Sequence, residues 1–273
     1  MHIHPAFNNT SEFGVDDANI SHISSIARKS YAKHAPQPVP RRYDAAQWHS
    51  DIQFEPVPAD YTSLRLTKLP KTGGDTLWAS GYEIYDRFSE PYQKFFESLT
   101  ATFIGDGFIK VAESNPELVT LYEQERGSPH NIGRKLSAVH PVVRTNPVTG
   151  WKSIFALGSF TKYINELTRE ESADLLKKFV SVIYENHDVT VRFKWRNQND
   201  IGKSRSSNAE RKRLEANIVA AIWDNRSFFH SATFDYDSLG ERTGNRAVGI
   251  GEIPYLDPHS RSRSEFLKQA QTD

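Results

Sequence analysis

From Tyr61 the chain alternates, with Leu64, Leu66 and Leu69 interleaved with Ser63, Arg65 and Lys68. Successive side chains of a strand point to opposite faces, so this pattern predicts a half-buried strand over 61–69. Thr72-Gly73-Gly74-Asp75 reads as a turn, followed by the short apolar stretch Thr76-Leu77-Trp78-Ala79. Ser80 with Glu83 makes a capping box that opens a helix reaching about Phe88. A second helix begins after Ser89, with Pro91 in its first turn and Phe95, Phe96 and Leu99 on its buried side. Thr168 and Glu171 repeat the capping signal ahead of Leu175, Leu176, Phe179, Val180 and Ile183, whose spacing marks an amphipathic helix. Strands are predicted over 138–144, 153–156, 189–195, 220–224 and 246–251, and Trp78 and Trp223 are assigned to the core. Short strands on both sides of a helical insertion predict a mainly β protein, an antiparallel sandwich or barrel with helical decoration.

Two stretches lack this texture. Residues 8–47 are polar, with Pro36, Pro38 and Pro40 close together, and read as irregular structure with one short helix at most. Residues 202–220 carry five Lys/Arg against two Glu and read as a solvated loop with a short helix around 208–216, in preference to a nucleic-acid contact.

Composition narrows the function classes. A length of 273 residues suits one large domain or at most two small ones, and one domain over 1–273 is expected. The 34 basic and 34 acidic residues cancel, so no global charge draws the chain to nucleic acid or to an anionic membrane. The absence of Cys excludes disulfides, thiolate zinc sites and a cysteine nucleophile. No apolar run approaches the ~18 residues of a spanning helix, no repeat is visible, and neither end carries a recognised address. A cytoplasmic protein is expected; the sequence leaves a homo-oligomer open.

His49-Ser50-Asp51 carries the candidate chemistry. On extended backbone, positions i and i+2 share a face, so the imidazole and the carboxylate can reach one metal ion. A third ligand would complete a 2-His-1-carboxylate facial triad, which leaves positions of an octahedral Fe(II) open. His230, just beyond Trp223-Asp224-Asn225-Arg226, is the strongest candidate for that third ligand.

Further motifs stand in series around the triplet. They are His2-Ile3-His4-Pro5, Trp48 to Asp51, Leu69-Pro70-Lys71-Thr72-Gly73-Gly74-Asp75-Thr76-Leu77-Trp78, His140-Pro141-Val142-Val143-Arg144-Thr145, and Trp223 to Arg226 with His230, Arg242 and Arg246. In this order the sequence resembles the taurine dioxygenase family of Fe(II)/2-oxoglutarate-dependent enzymes, and within it the fungal sulfonate-dioxygenase branch. The resemblance implies a double-stranded β-helix (jelly-roll) core. It implies His49, Asp51 and His230 as Fe(II) ligands, and Thr76 and Arg242 as holders of the far carboxylate of 2-oxoglutarate. It implies His4, Arg246 and the backbone N–H of Ile52 as contacts to a substrate sulfonate. The implied reaction uses O2, converts 2-oxoglutarate to succinate and CO2, and hydroxylates a small organic anion. Beside a sulfonate, the hydroxylated product collapses to an aldehyde and sulfite.

The sequence departs from the family in three places. It begins at the His-Ile-His-Pro motif, where relatives carry a preceding segment, so an N-terminally truncated chain is expected. Residues 202–220 read as an insertion of 19 residues, either a loop or a retained intron translated in frame. Phe7 and Ala45 stand where the family has a Tyr and an Asn facing the taurine amine, which argues against taurine and for an alkyl sulfonate or another small anion lacking that amine. Two alternatives keep the motifs: the same cofactor chemistry on an amino acid or specialised metabolite, and a non-catalytic truncated paralogue.

Overall fold

The computed structural model describes residues 1–6, 18–25, 48–195, 220–232 and 240–271. Phe7, Ala45, most of 8–47 and 202–219 therefore lie outside the described residues. Every pairing between named strands is antiparallel. One sheet has the order β1 (Ile20–Ser24), β12 (Thr243–Val248), β2 (Tyr61–Lys68), β10 (Ala220–Asp224). A second has β11 (Phe228–Ala232), β3 (Thr76–Ser80), β9 (Thr190–Phe193). A third joins β5 (Ser137–Pro141), β4 (Thr100–Ile104) and β8 (Thr161–Ile164), and β6 (Val143–Thr145) pairs with β7 (Lys152–Ile154). The sheets are open, so of the two architectures expected the sandwich holds and the closed barrel does not.

The first two sheets meet through Leu64, Trp195 and Trp223, with Ile23, Leu66, Trp78 and Phe193 packed around them. Both tryptophans assigned to the core are there. The alternation in β2 is real at its start, where Thr62 and Leu64 are buried and Tyr61 and Arg65 are exposed. A larger core gathers Phe229 of β11 and Ala79 of β3 with Phe103, Phe155 and Ile164, and with Phe179, Val180 and Ile183 of helix α4 (Arg169–Glu185). Helix α4 begins with the expected Thr168–Glu171 capping box. Helix α1 (Gly81–Asp86) is capped by Ser80 but stops two residues short of Phe88. Helix α2 (Glu90–Glu97) buries Phe96 against Phe88 and Phe179, with ring centroids 4.9 and 5.0 Å apart. Phe95, expected on the same face, is 42% exposed, because consecutive helical side chains diverge by about 100°.

Three strand boundaries differ from expectation for identifiable reasons. The stretch 138–144 is two strands, since Val142 leaves the β4 ladder: its N–H bonds Leu99 and its carbonyl receives Phe155. The last strand sits at Thr243–Val248 rather than 246–251, because its pairing runs along β1 and β2 from Thr243 and ends where β2 begins; Gly249 just beyond passes so close to Asp60 that a Cβ would lie 2.1 Å from its Oδ1. The strand expected over 189–195 is shortened to Thr190–Phe193 by the 3-10 turn at His187–Val189. Strands β1, β4, β8 and β11 and helices α3 (Asp106–Ser114) and α5 (Arg263–Gln269) were not anticipated.

Candidate metal centre

His49 and His230 are joined by a reciprocal backbone bridge, His49 N–H to His230 O at 3.1 Å and His230 N–H to His49 O at 2.8 Å. That bridge places the two rings side by side, with centroids 4.1 Å apart. Gly158, at φ +101°, lets the chain cross directly behind this point: a Cβ there would sit 2.2 Å from Trp48 O. Immediately after His49 the backbone turns, so Asp51 reaches the two rings from a turn and not, as expected, from the same face of an extended strand. Ligand atoms of His49, Asp51 and His230 all lie within 4.8 Å of one another, and Asp51 and His230 are buried. Cis ligands about 2.1 Å from an octahedral ion are roughly 3 Å apart, so the set would draw in by up to about 2 Å to share one ion.

The electrostatics suit a cation. Burial alone would push the Asp51 carboxyl up, but the Arg246 guanidinium, the His230 and His49 rings and the Thr62 hydroxyl together hold it well below the usual carboxylate range. Burial, reinforced by His49, pushes His230 well below the ordinary imidazole value, so its ring is neutral, the form that ligates metal. His230 Nδ1 is buried with no hydrogen-bond partner. Two imidazoles and one carboxylate form the donor set of a facial-triad iron site, so these residues fit the group.

The remaining expected residues divide into two groups. Thr76 opens β3 and Arg242 precedes β12. Arg242 Nε donates to Gly74 O at 2.9 Å, and its Nη2 donates to Thr76 Oγ1 at 3.4 Å. Gly74, at φ +70°, makes room, since a Cβ would approach Arg242 Cδ to 3.2 Å. Thr76 Oγ1 also accepts from Trp195 Nε1 at 2.9 Å. With both lone pairs taken, its O–H remains to donate to an incoming anion. A cleft of about 580 Å³ lies beside this pair, lined by Pro70, Lys71, Asp75, Arg192, Lys194 and Trp195.

On the other side, Arg246 Nη1 donates to Asp51 Oδ1 at 2.6 Å and its Nε is buried without a partner. His4 is buried, its Nδ1 accepts from Ala6 N–H at 3.1 Å, and its ring meets Phe108 edge-on at 4.8 Å. Burial, followed by the Arg246 charge, holds His4 well below the usual imidazole range. Ile52 has φ +49°, a left-handed conformation rare for a β-branched residue. Several turn contacts fix it there: Glu55 N–H bonds Ile52 O at 2.9 Å, and His140 Nε2 lies 3.0 Å from both Gln53 O and Glu55 O. The structure thus gathers His49, Asp51 and His230, sets Arg246 and His4 beside Asp51 with Ile52 next in the chain, and pairs Arg242 with Thr76.

Residues that sequence reasoning missed hold this centre in place. Thr62 Oγ1 donates to Asp51 Oδ2 at 2.7 Å, and Asn225 reaches both Thr62 and the Asp51 backbone. Glu55 pairs with the fully buried Arg126 through Nε at 2.5 Å and Nη2 at 3.0 Å, with His2 3.3 Å away. Asn225 sits inside a recognised motif, but nothing in the one-dimensional pattern links it to Asp51.

A family model for the taurine catabolism dioxygenase TauD, TfdA family matches residues 7–201. The chain belongs to this family. The match includes His49, Asp51, Ile52 and Thr76 and ends before His230. The alpha-ketoglutarate-dependent dioxygenase oryG of Aspergillus oryzae is 46% identical over 230 residues, covering 84% of this chain and 61% of that protein. The alpha-ketoglutarate-dependent sulfonate dioxygenase of Saccharomyces cerevisiae is 31% identical over 212 residues, 77% of this chain and 43% of that one. The chain thus spans under two thirds of these curated relatives. A taurine dioxygenase from Burkholderia xenovorans superposes with a TM-score of 0.63 at 24% identity, over 94% of this chain and 69% of that structure. The fold of this TauD-family chain is therefore the expected jelly roll. No helix among the described residues is long and apolar enough to cross a membrane.

Proposed function

We propose that this TauD-family chain is a cytoplasmic Fe(II)- and 2-oxoglutarate-dependent dioxygenase, one catalytic domain acting on a small organic anion, with an alkyl sulfonate the favoured class. The observation that carries this reading is the convergence of His49, Asp51 and His230, from two distant segments, on one cation-sized site. Bound there, Fe(II) supplies the oxygen chemistry that couples 2-oxoglutarate decarboxylation to attack on a C–H bond.

The chain's own residues place the reactants. Arg242 offers a planar guanidinium and Thr76 a free O–H to the far carboxylate of 2-oxoglutarate. Arg246 and the neutral His4 flank the opposite side of Asp51 and present donors to the substrate anion. The backbone N–H of Ile52, in its left-handed turn, is the third donor assigned to that anion. Phe54 and Phe160, whose rings lie 5.0 Å apart, with Phe160 edge-on to His49 at 6.0 Å, give the centre an apolar wall. The sulfonate reading draws on the family and on the sulfonate dioxygenase among the relatives.

The test is an anaerobic titration of the protein with Fe(II) and 2-oxoglutarate, following the visible charge-transfer band of the chelate. The parent develops the band and His49→Ala does not. Arg242→Ala requires about 10- to 100-fold more 2-oxoglutarate, the loss of a charge-assisted hydrogen-bond pair worth about 1.5–3 kcal/mol. A folded, soluble parent that shows no band overturns the proposal. A sulfonate screen with sulfite as the readout then assigns the substrate.

A further inference from the structure

We infer that Asn225, acting through Thr62, is a positioning residue for the Asp51 carboxylate, holding Oδ2 so that Oδ1, which also accepts from Arg246, is the oxygen turned toward the metal. The inference rests on the reading that His49, Asp51 and His230 hold Fe(II), and it concerns residues to which that reading gives no role.

The hydrogen bonds fix their own direction. Asn225 Oδ1 receives the Asp51 N–H at 3.0 Å and the Trp223 Nε1–H at 3.1 Å. Two N–H donors aimed at one atom identify it as the carbonyl oxygen, since a flipped amide would set N–H against N–H. The amide nitrogen then faces Thr62 Oγ1 at 2.8 Å, where it can only donate. Thr62 therefore accepts from Asn225, and its one hydroxyl proton is left to donate to Asp51 Oδ2 at 2.7 Å. The backbone holds Asn225 in place: its N–H bonds Asp60 O at 2.6 Å, and its carbonyl accepts from Ser50 Oγ at 2.7 Å. Asp51, Thr62 and Asn225 are all buried, so water does not substitute for any of these groups.

The consequence for the ligand is specific. One asparagine side chain grips both the main chain of Asp51 and, through a neutral relay, the outer oxygen of its carboxylate. Oδ2 is held by Thr62, while Oδ1 accepts from Arg246 Nη1 at 2.6 Å and faces His230 Nε2 at 3.9 Å, so its remaining lone pair is the one turned toward the metal site. The relay is uncharged, so it orients the carboxylate without adding to the positive charge that Arg246 already places at Oδ1. Partners of this kind commonly change metal affinity by about 10- to 100-fold.

The experiment measures Mn(II) affinity from the EPR signal of the free ion, for the parent, Thr62→Val, Thr62→Ser, Asn225→Asp and Asp51→Ala. Thr62→Val keeps the side-chain shape and removes the proton; Thr62→Ser restores the proton. Asn225→Asp leaves Thr62 with a carboxylate that cannot donate to it, so the hydroxyl turns away from Asp51. The expected result is weakening of about 10- to 100-fold for Thr62→Val and Asn225→Asp, with Thr62→Ser within about threefold of the parent. The visible spectrum of the Co(II)-loaded protein should change in Thr62→Val and revert in Thr62→Ser, which a purely structural role would not produce. Thr62→Val that binds Mn(II) as tightly as the parent, with an unaltered Co(II) spectrum, overturns the inference. A folded parent that does not bind Mn(II), or an Asp51→Ala variant that binds as well as the parent, overturns the metal assignment and the inference with it.

Discussion

Ile52 carries two opposing contributions in one residue. Its left-handed backbone costs about 1–2 kcal/mol, while its side chain is buried with Phe54, Ala59, Leu136 and Val248. Removing a buried Ile side chain costs about 2–5 kcal/mol, so burial outweighs strain. Ile52→Gly is accordingly expected to destabilise the protein by about 1–3 kcal/mol net, measured as a lower urea midpoint. His140 gives a pH-dependent contribution. Burial, followed by the Arg144 charge, pushes it down to about 4, so the folded protein keeps it neutral where the unfolded chain would protonate it. Stability from this group is therefore full above the ordinary value of 6.5 and is lost as pH falls toward 4, a loss of about 3 kcal/mol. Urea unfolding at pH 7 and at pH 4.5 should show the loss, and His140→Gln should flatten that part of the profile. The Glu55–Arg126 pair behaves differently, since removing one partner leaves a buried charge alone. Arg126→Leu should cost about 3–5 kcal/mol, read as a drop in unfolding free energy.

Elements with a local signature were readable, and those defined only by their neighbours were not. Helix α4 announced itself through its cap and its apolar face, and Thr168→Ala should lower stability by about 1 kcal/mol, visible as a reduced Tm. Helix α3 begins at Gly105 with no side-chain cap, so its start carries no signal. Helix α5 has a capping box at Ser262 and Glu265 but no buried residue, so it lacks the apolar stripe that makes a cap persuasive. Strand β4 buries Ala101, Thr102 and Phe103 in succession, which erases the alternation by which a strand is recognised. The candidate site shows the same division. His49-Ser50-Asp51 could be read locally, and the other expected site residues came from motif order. Thr62 and Asn225 remained invisible because their task depends on contacts across 11 and 174 positions of chain.

For the whole molecule, a metal held as proposed by His49, Asp51 and His230 would clasp distant parts of the chain, so its occupancy should feed back on global stability. Mn(II) at about 100 times its dissociation constant should add about 2.7 kcal/mol and raise Tm by roughly 5–10 °C. Chelation should reverse the shift, and His230→Ala should show none. The mutual backbone bridge between His49 and His230 also sets a timetable. Ribosomes add about 5–20 residues per second, so His230 follows His49 after roughly 10–40 s of synthesis. Throughout that interval the nascent chain owns an imidazole and a carboxylate but no partner to close around an ion. On the proposed ligand set, acquisition of metal falls after translation has passed β11, and a filled site would certify that both halves of the polypeptide have found each other.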